Sequence, residues 1–215
     1  MPTTISVKGS AEHRAAPELA AAMLSVGASG SDRADVAART SAAHARLLDE
    51  IRQLEASGAL ETWSADQVRA WSHRPWNADG ELLPLVHQAS ADVEVVFRDL
   101  ARAGEWLGDA AAIEELTIGG VAWRLTDETH ALARESAQRA AVAEAVAKAG
   151  VYSSALGLGA PVVVELADHE PQSAAPTARL MAIGAGRDGG GATELAPRDL
   201  VIAVSVDARF IADTA

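Results

Sequence analysis

The chain has 215 residues, 49% of them hydrophobic, and no cysteine, which is enough for an ordinary core and rules out disulfides, thiolate metal sites and thiol nucleophiles. Thirty acidic residues against 18 basic ones leave a formal net charge of -12, a balance that repels the phosphate backbone of nucleic acids and the anionic surface of a bilayer. The acidity fits solubility, and neither nucleic acid nor membrane is an expected partner.

Residues 5–12 alternate, with Ile5, Val7, Gly9 and Ala11 against Ser6, Lys8, Ser10 and Glu12, and Pro17 marks a turn before a second strand over 19–28. Helical spacing follows at Val36, Thr40, Ala43, Leu47, Ile51 and Leu54, and Gly58 supplies a stop. Alternation returns over 61–73, where Trp63 and Trp71 stand an even number of residues apart and are expected on one face of a strand. The tract HRPWNADGE reads as a turn, so this strand and the next form a long hairpin. That next strand, 87–97, ends at Arg98-Asp99-Leu100, where the period changes to that of a helix and Asp99 can cap the first turn. A short strand over 115–125 leads to a third helix, capped by Thr126 and running to about Leu156, with Ala137, Ala141, Ala145 and Ala149 every fourth residue. Small side chains at that spacing permit close approach to a sheet or to a neighbouring helix. Two closing strands, 162–166 and 200–210, flank a stretch at about 171–198 rich in Gly, Ala and Pro, expected as a flexible loop. The predicted order is β-β-α-β-β-α-β-α-β-β in a largely antiparallel α+β fold, with residues 1–215 as a single domain.

Four segments carry a resemblance to the SIMPL domain family. ISVKGSAEHRAAPELA is similar to its first strand, with Val7, Gly9, Pro17, Glu18 and Ala20 at the matching places. The Arg98-Asp99-Leu100 junction, the Ala-rich helix ending at Leu156-Gly157 and the closing strand DLVIAVSVDARFI resemble the others. The family is mostly bacterial, many members are periplasmic, and a mammalian member is tied to an inflammatory kinase. The resemblance implies an α+β fold, a tendency to form homo-oligomers, loose links to oxidative-stress defence and no established catalytic residues. Two features depart from the family. The tract WSADQVRAWSHRPW is richer in Trp, and the opening MPTTISVKGSAEHR lacks the basic and apolar regions of a secretory signal. The chain as written is therefore expected in the cytoplasm, or in the periplasm or outside the cell if a leader precedes it. No run of eighteen apolar residues exists, so no membrane insertion is expected.

The candidate chemistry is sparse. No Gly-x-Ser-x-Gly elbow is present, and Ser31, Ser153 and Ser154 read as cap and helix residues. Six scattered histidines lack metal-ligand spacing; only Asp168-His169-Glu170 clusters, and consecutive strand residues point to opposite sides. GAGRDGGGA at 184–192 lacks the Lys-Ser/Thr ending of a phosphate loop and reads as linker. No cofactor, metal or catalytic residue is expected. Trp63, Trp71 and Trp76 are either core or an aromatic patch of the kind found in interfaces, and they are the candidate oligomer contact. The expected function is a non-enzymatic, self-assembling scaffold or binding protein. The alternatives are an enzyme whose site gathers residues of separate strands, such as Asp66, Arg69 and His87, or a protein-protein adaptor.

Overall fold

The structure is a computed structural model that describes residues 2–78, 82–169, 179–180 and 198–214. Elements run in the order β1 (Thr3–Ala15), β2 (Leu19–Gly30), α1 (Arg33–Ala56), β3 (Leu60–Ala65), β4 (Arg69–His73), β5 (Val86–Phe97), α2 (Leu100–Ala110), β6 (Leu116–Arg124), α3 (Asp127–Ala155), β7 (Val162–His169), β8 (Arg179–Leu180) and β9 (Leu200–Ala212). This is the expected α+β order in antiparallel sheets, with the strand opposite β5 divided into β3 and β4 and with the two-residue β8 in addition. The candidate phosphate loop at 184–192 and most of the stretch at 171–198 lie outside the described residues.

Contacts divide the chain into two compact units, neither continuous in sequence. Unit 1 holds β1, α3, β7 and β9, and unit 2 holds β2 to β6 and β8 with α1 and α2. No boundary was visible in composition because each unit borrows strands from distant parts of the chain.

Unit 1 is a three-stranded antiparallel sheet, β1-β9-β7, with α3 packed over β1 and β9. β1 and β9 pair without a break from Thr3↔Ala212 to Ala15↔Leu200. Alternate residues of β9, including Val204, Val206, Ala208 and Phe210, face a core shared with Ala137, Ala141, Ala145 and Ala149 of α3. The four-residue spacing of the alanines keeps one narrow row of methyls on the sheet, and the helix comes so close that only a glycine fits beneath it. A Cβ on Gly9 would stand 2.1 Å from the Ala141 carbonyl oxygen and 2.9 Å from Ala145 Cβ. The helix starts at Thr126, whose side chain accepts the Thr129 amide, and ends at Gly157, where φ is +68°.

Unit 2 is a sheet in the order β3-β5-β2-β6-β8, with β4 also pairing with β5. Ala89, Ala91, Val93, Val95 and Phe97 of β5 are buried on the same side as Leu24 and Val26 of β2, and α1 brings Val36, Leu47, Ile51 and Leu54 into the core. Burying each of these side chains other than the alanines contributes roughly 1.5–3 kcal/mol. Asp32 caps α1 by accepting the Ala34 and Asp35 amides at 2.7 and 3.1 Å, and Gly58 follows the helix with φ of +78°. Asp99 caps α2 by accepting the Arg102 amide at 3.0 Å, as its position at the strand-to-helix junction predicts. Trp106 of α2 then stacks obliquely on Phe97, with ring centroids 5.5 Å apart, while its indole nitrogen donates to Glu50 of α1.

Candidate functional site

The three tryptophans do not form one face. Trp63 pairs with Val95, whereas Trp71 pairs with Gln88. Eight residues on the β3–β4 side thus span seven on β5, because one extra residue between Ala65 and Arg69 interrupts the ladder. Such a bulge reverses every side chain beyond it. Trp63 consequently lies on the helix-covered side, half-buried, and Trp71 lies on the opposite side, 46% exposed. Trp76 follows β4 and is 87% exposed. The expectation of a shared Trp63–Trp71 face is corrected by this bulge.

The same bulge separates the residues considered for a composite catalytic site. Arg69 falls on the open side of the sheet and pairs with Asp92 at 3.2 Å. His87 lies on the other side, where its Nδ1 stands 2.7 Å from the Ser72 hydroxyl. Asp66 meets Asp92 only through its backbone amide. The nearby Asp32 carboxylate already accepts two amides at the start of α1, and these bonds hold its pKa below the usual carboxylate range. The Ser72–His87 bond therefore fastens β4 to β5. Ser153 is also structural: it is buried, and its hydroxyl donates to the Gly159 carbonyl after α3. A cavity of about 230 Å³ lies between α1 and residues 113–116, floored by Val26, Leu47 and Leu116. Of its rim acids, Glu50 holds the Trp106 indole and Glu115 pairs with Arg39.

The most unusual surface is in unit 1, at the two borders of the sheet. On the outer border of β1, the Ser10 amide donates to Glu144 Oε2 and the Lys148 ammonium donates to the Lys8 carbonyl at 3.0 Å. Both caps come from α3, four residues apart, and bond to each other at 3.0 Å. The amide from Ser10, followed by Lys148, lowers the Glu144 pKa below its ordinary value. β7 forms the other border and has no strand beyond it among the described residues. Val163 pairs with Phe210 and Leu166 with Ala208, so they lie on the side that α3 covers over β9. Yet Phe210 is 2% exposed while Val163 and Leu166 are each 53% exposed, because the helix stops short of β7. Val162 and Val164 are also more than half exposed. Across the sheet Glu165 pairs with Arg209 at 2.9 Å. The sequence showed this strand but not its position as a border, although three consecutive valines on a stretch so short were a usable signal.

A family profile matches residues 5–210, and its description is SIMPL, protein of unknown function (DUF541). The chain belongs to the SIMPL family. No curated protein matches it. The Val7-x-Gly9 feature of the SIMPL resemblance is explained by the contact of Gly9 with the α3 backbone, and the Arg98-Asp99-Leu100 feature by the cap on α2. Both are devices of folding. Among the described residues no helix is long and apolar enough to cross a membrane.

Proposed function

We propose that this SIMPL protein is a non-enzymatic binding or scaffold protein that works by self-association. The observation that carries the reading is the exposed apolar run Val162, Val163, Val164 and Leu166 on β7, in a chain whose acid-base pairs serve as caps and strand fasteners. Apolar side chains left open on a border strand are what association buries. Exposed Trp71 and Trp76 offer a second contact surface, in line with the aromatic patch read from the tract WSADQVRAWSHRPW. Light scattering over a hundredfold range of protein concentration tests the proposal. The expected result is a mass that rises above the 22.2 kDa of one chain. A constant monomer mass overturns it. In Trp71→Ala and Trp76→Ala variants, loss of assembly with retained folding assigns the contact to the tryptophans; loss of assembly in Val163→Lys instead assigns it to β7.

A further inference from the structure

We infer that the cavity between α1 and residues 113–116 binds a free α-amino acid with an apolar side chain, held by Arg46 at its carboxylate and by Glu114 at its ammonium. The site uses none of the residues proposed above for self-association.

Every residue that lines the cavity belongs to unit 2. Its floor is apolar, with Val26, Leu47 and Leu116 buried and Ala43 and Ile113 beside them. An apolar cavity of about 150 Å³ accepts benzene. The ≈ 230 Å³ here therefore leaves room for a branched or aromatic side chain together with part of its polar end. The mouth is charged, and its charges are not all answered within the protein. On α1, Arg46 has two acids within one turn, Asp49 and Glu50. Asp49 pairs with Arg52 at 2.7 Å, and Glu50 accepts the Trp106 indole N–H at 3.3 Å. On the facing wall Glu115 pairs with Arg39 at 3.3 Å. Arg46 and Glu114 are left, one charge of each sign on opposite walls, and neither has a hydrogen-bond or ion-pair partner among the described residues.

A ligand that answers both must carry an anion and a cation on one small frame, with an apolar group to fill the floor. An α-amino acid does this. Its carboxylate suits the guanidinium fork of Arg46, its ammonium suits the Glu114 carboxylate, and an aliphatic or benzyl side chain suits Val26, Leu47 and Leu116. Glu50 and Glu115 add negative charge to the mouth, which disfavours an acidic side chain on the ligand.

Titration calorimetry with L-phenylalanine and L-leucine tests the assignment. Both are expected to bind, and glycine, with no side chain for the floor, at least tenfold more weakly. 2-Phenylethylamine lacks the carboxylate of phenylalanine and 3-phenylpropionate lacks its ammonium, and each is expected to bind at least tenfold more weakly than phenylalanine. Two variants separate the two ends. Arg46→Gln should bind phenylalanine no better than 2-phenylethylamine, while 3-phenylpropionate stays weaker still. Glu114→Gln should bind phenylalanine no better than 3-phenylpropionate, while 2-phenylethylamine stays weaker still. Both side chains are exposed, so near-ultraviolet circular dichroism should not change in either variant. No heat of binding with phenylalanine or leucine up to about 10 mM overturns the inference. So does an affinity that both substitutions leave unchanged, or a half-ligand that binds the parent chain as tightly as phenylalanine. Self-association stands or falls separately, by the mass measurement above.

Discussion

At Gly9 a single hydrogen atom decides how closely α3 can lie on β1. A methyl group there would meet the Ala141 carbonyl at 2.1 Å, a separation that neither partner can relieve by rotating a side chain. Gly9→Ala is expected to destabilise the protein by about 3 kcal/mol through overpacking, read as a lower denaturant midpoint. An unchanged midpoint would mean that the helix moves off the sheet at little cost. The same residue shows what could be read beforehand. Glycine within an otherwise alternating strand, set against a helix with alanine at every fourth position, is the pattern of close backbone approach, and both halves were visible. Their meeting was not, since nothing in local spacing says that residue 9 lies under residues 141 and 145.

Elements whose order depends on one dominant period were legible. α1 keeps Val36, Thr40, Ala43, Leu47, Ile51 and Leu54 buried as its spacing predicts, and α2 begins where Asp99 interrupts the strand. The hairpin of β3, β4 and β5 was legible as strands but not as faces, because one unpaired residue among 66–68 leaves no mark in composition and yet turns Trp71 away from Trp63. For β1, the caps from α3 give a pH dependence with a definite sign. The Glu144 pKa is lowered on folding, so its contribution is fully present above the ordinary glutamate range and is lost as pH falls through the lowered value. Glu144→Gln should therefore be less stable than the parent chain at pH 7, and the gap in melting temperature should close as pH is taken down towards 3. A gap that stays constant over that range would show that the charge of Glu144 is not what holds the border of β1.

For the whole molecule, the net charge of -12 works against the apolar border of β7. In the self-association proposed above, two copies would repel at long range and attract only where apolar surfaces meet, so added salt should strengthen association by screening the repulsion. Sedimentation at roughly 0.05 M and 0.5 M salt, on either side of the ~10 Å Debye length at 0.1 M, should show an apparent Kd several-fold lower at the higher concentration. Weaker association in high salt would point to an ionic contact. The two units also differ in when they can form. β1 has its ladder partner in β9, the last strand of the order, while every long strand of the unit 2 sheet is made by Arg124. During synthesis the ribosome therefore releases a foldable β2–β6 body early, while β1 must wait for Leu200–Ala212 before unit 1 can close. In that interval the β1 border has neither its ladder partner nor, until α3 emerges, its caps. β1, made first, thus stays without its ladder until the last strand of the chain has been made.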